Sequence, residues 1–298
     1  MRTIASWLTA RPVNTVLGLA LSLMLPFAQV LSGAVMVTAM LALGTGRTAL
    51  RAGAALLLLA ALFALLGNAV PQLVANALVA WLPAALLALL MRRSGSLTLT
   101  LQVSVIAAIA ITVGFHALVG DPVAFWEARL AELAAAFAGM GLDEQAALLS
   151  EQSAVLAPQM TMLFVLVSWS LTALVLALGH TLYQELPDAR GRYGRFCDVN
   201  LGRVLAFAMA VASVLALLSN AAWLQTLAFV MFVVFWVQGL AIMHWLQSDG
   251  PLPVFALVAV YALLPVLNLL LVTALAVLGY TDAWFDYRTR MRAARAKR

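Results

Sequence analysis

Two aspartates four residues apart, Asp282 and Asp286, stand in the stretch GYTDAWFDYRTRMRAARAKR, residues 279–298. Paired carboxylates are a residue type of general acid–base chemistry. Here, however, Trp284, Phe285, Tyr287 and six cations surround them. Asp286 reaches Arg290 and Trp284 meets Arg288 at i+4 spacing on a helix. Thr281 or Asp282 suits the N-cap of a short helix, and Trp284, Phe285 and Tyr287 suit an interfacial belt. The stretch is expected to leave a membrane as a short helix. That places Asp282, Trp284, Asp286, Arg288 and Arg290 at the membrane interface or against a partner protein, with the later arginines meeting anionic headgroups.

Other reactive groups are few. The three histidines, His116, His180 and His244, share no metal-ligand spacing. His116 precedes Asp121 by five residues and His180 precedes Glu185 by five. A boundary hydrogen bond within each pair is the expected role. Cys197 is the single cysteine, so an intrachain disulfide and a CxxC site are both excluded. No nucleophile elbow, phosphate loop or dinucleotide fingerprint is present. No catalytic residue, metal site or cofactor is therefore expected, and the chain reads as a non-enzyme. Neutral amides are more numerous: Asn14, Gln29, Asn68, Gln72, Asn76, Gln102, Asn220, Gln225, Gln238 and Asn268. In lipid each needs a partner, so they are expected to face the bundle interior. Asn68, Gln72 and Asn76, at i, i+4, i+8, are the candidate ligand-binding row, with Pro71 interrupting their segment, and Gln238 is a further candidate.

The elements that position these residues follow from composition. Of 298 residues 65% are hydrophobic and 10% charged, and the mean hydropathy is +1.03. A soluble domain is about 25% charged; this balance requires lipid as the solvent of the outer surface. The expected fold is all-α, a polytopic helical membrane bundle of about eight or nine spans forming one membrane domain over 1–298. Net charge is +5, carried by arginines in short connections and at the C-terminus. That placement sets topology and does not suit nucleic acid.

Residues 1–29 look like a signal peptide, but apolar character continues past Pro26, so an uncleaved first span is expected. Residues 13–44 form one helix kinked at Pro26 or two short spans. Further spans fall at 52–69, 72–91, 97–119, 159–183, 201–219, 223–247 and 253–280. Residues 121–157 carry six acids and one cation. They read as two amphipathic helices outside or against the membrane. The first has Trp126, Leu130, Leu133 and Phe137 on one face; the second starts at Asp143 and ends at Pro158. With Arg47, Arg51, Arg92 and Arg93 in the cytoplasm, the acidic segment lies outside and the arginines of 184–203 inside. A single crossing by 253–280 would then put the basic tail outside, against the arginine rule. A re-entrant bend at Pro265 brings it back, and a cytoplasmic tail is the favoured expectation.

Three stretches, LALGTGRTALRAG at 41–53, FWVQGLAIMHWL at 235–246 and LGYTDAWFDYRTR at 278–290, in this order and spacing resemble the YybS-like family of predicted bacterial membrane proteins of unknown function. The acidic helical insert and the chain length agree. Asn200–Leu201–Gly202–Arg203 departs from the proline-bearing connection of that family. The family is distantly similar to the S components of energy-coupling-factor transporters. The resemblance implies a multi-pass protein of the bacterial inner membrane that binds a small molecule or serves as a permease subunit. It also implies a separate ATP-driven partner, since no phosphate loop is present. The alternative is a non-catalytic scaffold or assembly factor docking a protein through 121–157 or the tail.

Overall fold

In the computed structural model the described residues are all of the chain except Arg190, Asn220, Lys297 and Arg298. The expectations placed on those four lie outside the described residues. The described residues are helical throughout, with no strand among them. They group into two compact units, Met1–Leu101 with Ser170–Phe196, and Gln102–Trp169 with Cys197–Arg298. Among the described residues seven helices, with Ala222–Ser248 taken as one, are long and apolar enough to cross a membrane, which fits a helical membrane protein.

The first unit begins with α1 (Arg2–Ala10), α2 (Pro12–Leu23) and α3 (Ala28–Leu43). Of the two sequence readings of 13–44, the two-helix one holds: the chain breaks at Met24–Phe27, where Pro26 removes a donor. Phe27 takes a left-handed conformation, φ 61°, which costs a residue with a Cβ roughly 1–2 kcal/mol. α2 and α3 fold back on each other as a hairpin. Ser32 Oγ, thirteen residues along, donates to Leu19 O at 3.1 Å. Then come α4 (Thr45–Leu65) and α5 (Val70–Ser94). The base of the hairpin is fixed by arginines. Arg51 Nη1 of α4 donates to Thr15 Oγ1 of α2 at 2.9 Å, and Arg92 of α5 donates to Met40 O near the end of α3. α3 is the most buried helix of the unit. Its Ser32 accepts the Trp81 indole N–H at 2.7 Å. Its Thr38 Oγ1 donates to Gly179 O at 3.1 Å.

α6 (Leu97–Val119), most of which belongs to the second unit, matches its expected span. α7 (Pro122–Gly139) starts at Asp121, whose carboxylate accepts from the Val123 and Ala124 N–H groups. The break at Met140–Leu142 also falls where expected. The expected end at Pro158 is corrected: α8 runs unbroken from Asp143 to Gln184, 42 residues. The reason lies in packing. Trp126 Nε1 of α7 donates to Thr161 Oγ1 at 2.7 Å, and its ring stands 5.7 Å from that of Phe164. These contacts hold the turn just past Pro158, where the proline has removed one hydrogen bond. On α7, Leu130 is buried but Leu133 is exposed, so the packed face is narrower than the expected stripe.

α9 (Gly202–Ser219), α10 (Ala222–Val233) and α11 (Trp236–Ser248) follow. The expected span 253–280 is two helices, α12 (Val254–Leu263) and α13 (Asn268–Phe285), broken around Pro265. After α13 comes α14 (Tyr287–Ala296). α12, at about 1.5 Å per residue, is roughly 15 Å long and too short to cross. The chain then returns to where it left. Arg292 of α14 lies 3.8 Å from Asp249, the residue that ends α11, and 3.1 Å from Asp198, with its guanidinium over the Trp245 ring. Arg292 thus comes back beside Asp249 after the chain turns at Asp286.

Candidate functional site

Gln238, Asp282 and Arg288 were read from two separate stretches, and the structure joins them in one buried network. Two glycines allow this. A Cβ on Gly239 of α11 would fall on the Leu275 carbonyl of α13, and one on Gly279 would fall on the Phe235 carbonyl. The two backbones therefore touch, the close approach that small residues permit in membrane helices. Beside the contact, Gln238 Nε2 donates to Asp282 Oδ2 at 2.8 Å, and its Oε1 accepts the Leu201 N–H at 2.7 Å. Arg288 Nη2 donates to the same Oδ2 at 2.8 Å. Arg288 Nη1 donates to the carbonyls of Cys197 and Val199, at 2.9 and 2.8 Å. Asp282 Oδ1 accepts the Tyr287 N–H at 2.9 Å. Gln238 and Asp282 are wholly buried and Arg288 nearly so.

Within the described residues Gln238 makes two of these bonds and Asp282 and Arg288 three each. The chemistry of the network is that of a latch joining α11, α13, α14 and the 197–201 connection. Asp282 and Arg288 are therefore not groups of an exposed exit helix. Arg288 turns to Asp282 and not to Trp284. Asp282 sits inside α13 and caps no helix there; it receives the first N–H of α14 instead. Asp286 holds the left-handed junction between the two helices, φ 49°. Its carboxylate accepts weakly from Thr289 N at 3.4 Å. Arg290 lies over the Phe285 ring and not against Asp286. Trp284 contributes its carbonyl to Arg203 at 3.4 Å.

The histidines are held locally. His116 Nδ1 lies 2.9 Å from Thr112 O. His180 Nε2 lies 2.9 Å from the Gln184 amide, which also binds the 191–192 backbone. Neither meets the acid five residues on. His244 Nε2 lies 2.8 Å from the Tyr261 hydroxyl. No group of three or more His, Cys, Asp or Glu among the described residues is placed to hold a metal.

The amide row behaves differently from its expectation. Pro71 stands in the first turn of α5, so Asn68 precedes the helix and only Gln72 and Asn76 share a face, 3.4 Å apart. All three are exposed, as are Gln29, Gln225 and Asn268. The inward-facing rule holds for Gln238 and, more loosely, for Gln102, which donates to Asn200 O and Leu201 O. Asn68, Gln72 and Gln225 lie at or just before helix starts. Asn76 instead borders a cleft of about 310 Å³ lined by Leu23, Phe27, Ala28, Gln29, Val30 and Leu171. This cleft sits against the break between α2 and α3. Gln238 belongs to the other unit and has no part in it.

No family model, curated protein or solved structure matches this chain. The latch had one sequence signal, an Asp282–Arg288 pair six apart beside a glycine. Its other acceptors, the Cys197 and Val199 carbonyls, are backbone atoms and carry none.

Proposed function

We propose that the chain binds a small, uncharged, hydrogen-bonding molecule in the cleft at the α2–α3 break. In this reading it is an inner-membrane binding or permease subunit similar to transporter S components, working with a separate ATP-driven partner. The observation that carries the reading is that Gln29 and Asn76 are the two amides lining an otherwise apolar cleft. α2 is about 18 Å long at about 1.5 Å per residue, against a hydrocarbon core of about 30 Å. The break therefore lies within the bilayer, where exposed amides and unwound backbone need a polar partner. A helix break of this kind is a favoured place for a solute in membrane carriers. The lining holds no charged side chain, which suits a neutral ligand.

The test is ligand-dependent thermal stabilisation of the purified protein across a metabolite panel. A true ligand at one hundred times its Kd adds about 2.7 kcal/mol. Gln29→Ala and Asn76→Ala should abolish that shift while leaving the unliganded melting point within a degree or two; Gln225→Ala should leave the shift intact. A second reading, a docking scaffold, draws on α8. Its 42 residues reach roughly 63 Å at about 1.5 Å per residue, so α7 and the start of α8 stand well clear of lipid. If no compound shifts melting and crosslinks from 143–157 capture one membrane partner, the scaffold reading replaces the first.

A further inference from the structure

Charge is compensated differently in the two units. Residues 1–101, in the first unit, carry Arg2, Arg11, Arg47, Arg51, Arg92 and Arg93 and no acid. None of the six forms an ion pair among the described residues. In the second unit Arg129, Arg288 and Arg292 each meet a carboxylate of the chain. A guanidinium keeps its charge at any physiological pH, so the counter-anion for the first six comes from outside the chain.

Hydrogen bonds gather these arginines at one end of the first unit. Thr15 Oγ1, in the first turn of α2, accepts from Arg51 and donates to Leu8 O of α1 at 2.7 Å. Arg92, in the last turn of α5, donates to Met40 O near the end of α3. Its guanidinium stands 3.5 Å from where a Cβ on Gly44 would be, and Arg47 follows in the first turn of α4. Arg47 and Arg93 are exposed, and their side chains bond to nothing among the described residues. The chain is extended at Arg11, between α1 and α2. α1 turns Ala5 and Leu8 inward and leaves Ile4 and Trp7, three apart on one face, 56% and 45% exposed. A short helix with tryptophan and isoleucine outward and arginine at both ends suits the plane of the membrane interface.

We infer that this end of the first unit is a binding surface for anionic phospholipid headgroups: Arg47 and Arg93, beside Arg92, take the phosphates, and Ile4 and Trp7 of α1 rest among the upper acyl chains. The apolar pair on α1 is what selects lipid. A free phosphate or an acidic protein would match the arginines and leave Ile4 and Trp7 uncovered. The surface lies at the opposite end of α2 from the cleft, so it does not depend on the cleft holding a ligand.

The test titrates the full chain in detergent with fluorescent phosphatidylglycerol and with phosphatidylcholine of the same acyl chains. The anionic lipid should bind at least about tenfold more tightly, and the preference should shrink as salt rises. Arg47→Gln and Arg93→Gln should each weaken the anionic lipid about fivefold, the contribution of one cation at an anionic surface, and leave phosphatidylcholine unchanged. Ile4→Ser combined with Trp7→Ser should weaken both lipids alike. Arg129→Gln is the control, because Arg129 is exposed but already paired with Glu132; it should change neither. Melting points of the Arg47 and Arg93 variants should stay at the wild-type value, which separates lost binding from lost fold. Equal affinity for the two lipids would overturn the inference. So would a full anionic preference in the variant carrying both Arg47→Gln and Arg93→Gln. Displacement of the anionic lipid by equimolar inorganic phosphate would overturn the lipid as the source of the phosphate.

Discussion

Arg288→Met is expected to lower stability by about 3–5 kcal/mol, the usual cost of removing one partner from a buried ion pair. It strands the Asp282 carboxylate without its cation and takes the guanidinium donor from the Cys197 and Val199 carbonyls. The loss should appear as a large drop in melting temperature in detergent. Limited proteolysis should cut the chain between 286 and 296, where the wild type resists. Arg288→Lys should recover only part of the loss, because an ammonium lacks the planar fork that serves three acceptors at once. Asp282→Asn combined with Arg288→Met should cost less than the two single losses added, by about 0.5–3 kcal/mol of coupling. Arg290→Met is the reference, since Arg290 is exposed. Equal melting points for the 288 and 290 variants would mean the latch contributes nothing.

The second large effect belongs to the helix contact beneath the latch. Gly239→Ala and Gly279→Ala each drive a methyl into a backbone carbonyl, of Leu275 and Phe235. Rigid backbone cannot give as a flexible side chain would. α11 and α13 must separate, and the Gln238–Asp282 bond stretches with them. Overpacking of this kind costs about 1–3 kcal/mol, occasionally more, and here it loosens the latch as well. Gly114→Ala in α6 is the contrast. An added Cβ there meets nothing within 4 Å, so the better helix former should stabilise by roughly 0.5–1 kcal/mol. Thermal melting of the three variants side by side checks both signs. A tolerated Gly239→Ala would mean that the backbone contact is not what sets the spacing of α11 and α13.

Long apolar periods between arginines were legible in the sequence, and α6 matches its expected bounds because nothing within it competes with helix. Pro158 was misleading because its local penalty is one hydrogen bond, while the Trp126–Thr161 contact that outweighs it joins residues 35 apart. The amides misled for the opposite reason. The inward rule assumes lipid at every position, but Asn68, Gln72 and Gln225 sit at or just before helix starts. The latch was half visible: Gln238 was expected to face inward, but Asp282 and Arg288 were read as interface groups because nothing in the sequence marks the Cys197 and Val199 carbonyls that Arg288 meets. The contact of Arg292 with Asp249 left no mark in the sequence, because the two lie 43 residues apart on different helices.

The unbroken course of α8 past Pro158 makes the protein sensitive to bilayer thickness. A helix without a break cannot absorb a thinner or thicker membrane by folding at a joint, so it must tilt. Over roughly 63 Å, at about 1.5 Å per residue, each ten degrees of tilt sweeps the acidic end sideways by about 11 Å. The carboxylates that such a tilt would carry with it are Asp143, Glu144 and Glu151.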